Sequence, residues 1–426
     1  MDNNLEKIEV NYKNKKRYKT ARYPLRQPRF FTWLIWALSK INFIKKNYKI
    51  EKINMDGLKP PYIILSNHMH FIDFKLAGIA TYPHRVNNVC DIVAFFRKSW
   101  IMRWIGGICT RRYTSDLYLI KSIMKVIKRG DVVLMYPEAK YSADGTPSYI
   151  PTSVAKLVKK CKVPVVIMLH QGNHLHTPFW NWRNKRKKVP LCTKLTQILT
   201  SEQIEKMTVQ EIDDIIQQSL EYDEYKYQKE NKIVINSLNR AEGLHKILYQ
   251  CPHCLKENKM NSKGTEIFCE ECGKRWNMKE DGSLEALNGE TEFSHIPDWY
   301  EWERLQVRKQ IEDGTYYFED DVDVYSLPRT RFIHLGNAKV KHTIEGGFVL
   351  EGFYNGEPYR IIRKPLWSMS LHVEYDYEHI KPFDCFDITT EDDSYYCFPQ
   401  KKNVLTKLNF ATEEIYQYHL RKQNNK

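Results

Sequence analysis

Between residues 61 and 170, short apolar runs alternate with helical patterns, and this alternation narrows the possible folds more than any other feature of the chain. Runs at 62–65, 92–96, 132–136 and 163–169 read as strands. Between the second and third, Leu117, Ile120, Ile123, Met124 and Ile127 recur at helical spacing. Thr114, Ser115 and Asp116 precede them as cap candidates, and Gly130 follows as a stop. A second helix is expected over 152–160 and a third near 209–220, where Thr208 and Glu211 stand in capping-box spacing. The polar stretch 221–232 reads as a solvated helix extension or linker. Strand–helix alternation predicts an α/β fold, a mostly parallel sheet flanked by helices, with the site at the carboxyl ends of the strands.

The remainder of the chain has a different texture. Its 426 residues allow two or three cores. We expect a basic interfacial segment over 1–46, an α/β domain over 47–245, a small cysteine-based unit over 246–294 and a β-rich domain of unknown role over 295–426. In the last of these, apolar runs at 348–353 and 359–362 flank Asn355-Gly356, a type I′ hairpin signal, and a closing helix is expected near 412–421.

A formal net charge of +14 points to an anionic partner. A mean hydropathy of -0.58 is too polar for a chain that crosses the membrane many times. The first long apolar run, residues 30–44, is interrupted by Ser39, Lys40 and Asn42. It carries two tryptophans between Arg26 and Arg29 on one side and Lys45 and Lys46 on the other. That composition suits a helix lying on an anionic lipid surface rather than one spanning it. The run from Arg183 to Lys188, after Phe179, Trp180 and Trp182, suggests a second contact with such a surface. No secretory leader is expected, so the chain is placed in the cytoplasm, peripheral on the inner face of the membrane.

Three segments carry chemistry. Asn67-His68-Met69-His70-Phe71-Ile72-Asp73 directly follows the first strand. A neutral imidazole there can accept a hydroxyl proton, and a carboxylate on its other ring nitrogen would fix the tautomer. Gly106-Gly107-Ile108-Cys109-Thr110-Arg111-Arg112 brings two arginines, and Tyr136-Pro137-Glu138-Ala139-Lys140-Tyr141-Ser142 follows the third strand. Val163-Pro164-Val165 opens the fourth.

In this order the segments resemble the motif blocks of the glycerolipid acyltransferase family typified by lysophosphatidic acid acyltransferases, over roughly residues 30–180. The resemblance implies acyl transfer from a thioester donor, acyl-CoA or acyl carrier protein, to the hydroxyl of a lysophospholipid. It implies His68 as base and Asp73 as its orienting carboxylate, with Asn67, Gly106, Arg112 and Glu138 in acceptor binding. Two departures stand out: Ala139 replaces a glycine and Tyr141 an arginine, so one phosphate ligand is missing, and Lys140, Arg111 or Arg103 would have to compensate. A hydroxyl acceptor without phosphate, or a non-catalytic binder of lipid or nucleic acid on the same fold, are the competing readings.

Cys251-Pro252-His253-Cys254, fourteen residues, then Cys269-Glu270-Glu271-Cys272 form two Cys-x2-Cys knuckles. Four thiolates so spaced suit a structural zinc ion, with no open coordination position. Glu266, Glu270 and Glu271 argue against nucleic acid as the partner. The other six cysteines show no disulfide-like spacing, as expected in a reducing compartment.

Overall fold

A computed structural model describes residues 6–12, 23–44, 46–114, 116–186 and 188–424. The cap candidate Ser115, the flanking Lys45 and Lys187 of the basic run lie outside the described residues.

Seven strands form the first sheet, in the order Tyr48–Ile53, Leu191–Leu199, Val165–Gln171, Ile63–Ser66, Val132–Met135, Val86–Asp91, Ile108–Thr110. All neighbours run parallel except Val165–Gln171 against Leu191–Leu199. Ile63–Ser66 is bonded on both edges and buried throughout, which is why its sequence is nearly all apolar. Helices Leu117–Lys128 and Ser153–Cys161 bury Ile123, Val126, Val154 and Val158 against this sheet, as their spacing foretells. Asp116 caps the first, accepting from the Tyr118 and Leu119 amides, and the Thr208–Glu211 capping box is complete at the start of Val209–Leu220.

Two expectations fail, each for a tertiary reason. The segment expected as a strand at 92–96 is a 3₁₀ turn, Ile92–Phe95, and the strand is the more polar Val86–Asp91 before it. Asp91 ends that strand by accepting from the Val93 amide. The apolar run packs instead against Leu327, Tyr377, Tyr396 and Phe398 of the C-terminal sheet. The stretch 221–232, expected as a solvated helix extension or linker, contains the helix Glu224–Glu230, capped by Asp223, but it is not solvated, since Glu224, Tyr225 and Gln228 are buried. Its inner face is covered by the cysteine unit, where the Gln228 amide donates to Glu280 O at 3.1 Å.

That unit is a four-stranded antiparallel sheet over residues 260–286. The helix Ile296–Glu312 then leads into a seven-stranded antiparallel sheet and the closing helix Leu405–Asn424, longer than its sequence pattern suggests. The Asn355-Gly356 turn closes the hairpin as expected, pairing Tyr354 with Glu357, with both turn residues at positive φ. One apolar core runs from Leu175, Trp180 and Tyr225 through Trp276 to Trp299, Phe348 and Phe410. Phe179 and Trp180 are buried in it, and the buried Arg186 donates to Leu175 O and Arg240 O. Phe179, Trp180 and Arg186 hold the interior together and so cannot serve the expected lipid contact, while Arg183, Lys185 and Lys188 of the basic run are exposed.

The N-terminal helix Arg29–Phe43 buries Thr32, Ser39 and Phe43 while leaving Phe30, Trp33, Leu38 and Ile41 exposed. The helix Ile72–Thr81 meets it closely at Gly78, where a Cβ would lie 2.8 Å from Ile35 Cγ2. No helix among the described residues is long and apolar enough to cross a membrane.

Candidate active site and metal centre

The central strand delivers its carboxyl end to a tight turn, and the next helix starts six residues later at Ile72. In this turn the chain folds back on itself. Asp73 Oδ2 lies 2.9 Å from His68 Nδ1 and also accepts from the amides of Met69 at 2.7 Å and His70 at 3.0 Å. Its Oδ1 accepts from Asn173 Nδ2 at 2.6 Å. Asp73 is fully buried, which by itself would raise its carboxyl. His170, His68 and Asn173 outweigh burial and hold it down, at about 2. A permanently ionised acid on Nδ1 leaves the imidazole's other nitrogen as the proton acceptor. His68 keeps one-fifth of its side chain exposed. Its ring stacks on Tyr136 at 3.9 Å and meets Tyr141 at 4.4 Å.

The other residues singled out from the sequence are placed around this turn in different ways. Both amide atoms of Asn67 are used by the backbone of His170, at 3.0 and 2.8 Å, stitching the central strand to its neighbour. Gly106 has φ +87°, and a Cβ there would meet Val86 O at 2.9 Å, so the position accepts only glycine. Glu138 is buried and accepts from the Ser148 amide at 2.8 Å. Burial lifts its carboxyl to about 7 against the opposing pull of hydrogen bonds from Ser148 and the His68 backbone. It therefore braces the back of the His68 turn. Ala139 takes φ +55°, the left-handed conformation for which glycine is the easier residue.

Arg112 and Lys140 are met by the C-terminal half. Arg112 faces Asp91 and Asp387, each at 3.9 Å. Lys140 Nζ donates to Glu413 at 2.5 Å and to Ser370 and Asn409 at 3.1 Å each. Asp387 is itself bonded to His372, which also reaches Glu374 at 3.1 Å. Tyr141 joins the two regions: its ring touches His68, and its hydroxyl is pushed up mainly by burial, with the charges of Glu374 and Asp73 adding and that of Arg112 opposing. The partners Asn173, Ser370, Asp387 and Glu413 carry no sequence signal, whereas Tyr141 stands out in the sequence as a departure from its motif.

The four sulfurs of Cys251, Cys254, Cys269 and Cys272 all lie within 4.8 Å of one another, with Cys251–Cys272 at 3.8 Å and Cys254–Cys269 at 3.7 Å. A tetrahedron of thiolates about 2.3 Å from a zinc ion has edges of about 3.8 Å, so the cage fits such an ion. The two knuckles are built alike. The amides of Leu255 and Gly273 donate to Cys251 O and Cys269 O, and both residues have positive φ.

A buried carboxylate thus fixes a partly exposed histidine at the carboxyl end of the central strand of a parallel-rich α/β sheet. In the family comparison, residues 29–170, a third of the chain, match the model of the family described as Acyltransferase. One similar solved structure is the 1-acyl-sn-glycerophosphate (LPA) acyltransferase PlsC from Thermotoga maritima. It is 16% identical, with a TM-score of 0.37, over 44% of this chain and 78% of that one. No curated protein matches.

Proposed function

We propose that the protein transfers a fatty acyl group from a thioester, acyl-CoA or acyl carrier protein, to a free hydroxyl of a lysoglycerolipid at a membrane surface. The observation that carries this reading is the 2.9 Å contact between His68 and the buried Asp73. His68 takes the hydroxyl proton on the nitrogen that Asp73 does not hold. The resulting alkoxide adds to the thioester carbonyl, the thiolate leaves, and the imidazolium returns the proton to it. No covalent enzyme intermediate is needed. The cysteine cage would hold a structural zinc ion that fixes the ribbon between the two large sheets.

Access from the bilayer is supported by the exposed residues Phe30, Trp33, Leu38 and Ile41 of the N-terminal helix. Trp100, Trp104 and Phe71 are exposed too, with Phe31 and Trp104 ring to ring at 6.4 Å, and Phe71 stands beside the His68 turn. Arg29, Arg97 and Lys98 lie next to these aromatics in the chain and suit anionic headgroups. The chain would sit on the inner membrane face. Incubation of the purified protein with radiolabelled acyl-CoA and vesicles containing lysolipids tests the reading. Labelled diacyl product that requires His68 supports it, and complete absence of acylated lipid from every acceptor removes it.

A further inference from the structure

We infer that the acceptor presents an uncharged headgroup to the site, as a monoacylglycerol does, and not a phosphate. This rests on the acyl-transfer reading above and names its substrate class.

Three of the cations that the motif loops carry, Lys140, Arg111 and Arg112, are already matched from within the chain, whereas Arg103 keeps a buried Nε without a hydrogen-bond partner. Lys140 has three N–H donors, and Glu413, Ser370 and Asn409 take all three. Arg111 is buried, and its two terminal nitrogens donate to Leu327 O, Pro328 O and Ser394 Oγ. Arg112 lies against two carboxylates, Asp91 and Asp387, and feels a third in Glu374. A phosphate dianion brought to Arg112 would have to approach all three. The position where the resembled motif has arginine is Tyr141, whose ring lies 4.4 Å from His68.

What remains is suited to neutral oxygen. Arg112 Nη1 is buried without a hydrogen-bond partner, and so is the Tyr136 hydroxyl of the ring stacked on His68. A guanidinium whose charge is balanced can still donate one bond to a hydroxyl or a carbonyl. The aromatic faces of Tyr136 and Tyr141 suit the C–H face of a glycerol. Of the other cations, Lys75 and Lys185 act on His70, and Lys75 donates to Asn42 at 3.0 Å, which leaves Arg103 as the arginine that a charged headgroup would have to use.

The test compares kcat/KM of the full chain on acyl-CoA with three acceptors of matched chain: monoacylglycerol, lysophosphatidic acid and lysophosphatidylcholine, presented in the same neutral vesicles. Monoacylglycerol should exceed both phospholipids at least tenfold. A smaller margin, or preference for either phospholipid, overturns the inference and assigns the headgroup to Arg103, Lys75 or Lys185, while acyl transfer itself stands. No product from any acceptor removes the acyl-transfer reading and the inference together. In a second arm, Asp387→Asn uncovers Arg112 and should raise lysophosphatidic acid turnover relative to monoacylglycerol severalfold. An unchanged ratio in a folded variant overturns the shielding argument, and the wild-type comparison decides if that variant does not fold.

Discussion

The turn around His68 and the loops around Arg112 and Lys140 lie in one site but are built on opposite plans. The first is local. Asp73 holds His68, Met69 and His70 within a span of five residues, and only Asn173 comes from elsewhere. The second is assembled across the molecule, with Lys140 meeting Glu413 at a separation of 273 residues. The lesson is that the His68–Asp73 pair is set almost entirely by its own turn, with Asn173 as the one distant partner. The surroundings of Arg112 and Lys140 depend on the C-terminal sheet and the closing helix being in place.

Removing the metal proposed for the cysteine cage should strain this contrast most. Treatment with a strong chelator, or Cys251→Ser, should lower the melting temperature by about 10 °C or more, because such a ribbon folds only around its ion. Calorimetry with and without added zinc measures it; an unchanged melt would mean that the cage is empty in use. His68→Ala should reduce acyl transfer about 1000-fold or more while leaving the melt within about 2 °C, since general-base catalysis of this kind contributes 10² to 10⁴. Asp73→Asn should lower kcat about 100-fold with a smaller change in KM, because it disturbs the tautomer rather than the acceptor contacts. Glu413→Gln leaves Lys140 and Arg304 buried without their shared counter-charge, and should cost about 3 kcal/mol in denaturant unfolding. If that variant lost activity without losing stability, the two halves of the site would not be separable as described.

The smallest effect is a pH slope. Burial holds His70, His170 and His176 down at about 4 and His174 at about 3. Each is neutral when folded and titrates near 6.5 when unfolded, so its contribution is intact above that pH and is lost as the pH falls toward 4. Between pH 7 and 6 each group should cost about 0.7 kcal/mol. His174→Gln, at a fully buried ring with neither nitrogen bonded, should flatten the slope of the melting temperature against pH.

What could be read from the chain follows the same division. The Thr208–Glu211 box, the Asn355-Gly356 turn, the cysteine knuckles and the His68–Asp73 pair are all set by near neighbours, and each lies where its spacing puts it. The errors arise where a residue's partner is distant. Ile92–Phe95 is apolar because the C-terminal sheet covers it, and the aromatics at 179 and 180 are large because three units share one interior. No periodicity reports a contact of that kind. Arg112 and Lys140 could be recognised as cations near a site, but the acids that neutralise them could not.

The shared interior of Trp180, Tyr225, Trp276 and Trp299 also governs how this chain can be handled. A fragment cut near residue 245 would carry the His68 turn intact yet open a seam of bare aromatic rings. Such a piece would tend to clump, and its inactivity would say nothing about the chemistry. The catalytic half is therefore best studied whole, with its headgroup shield still in place.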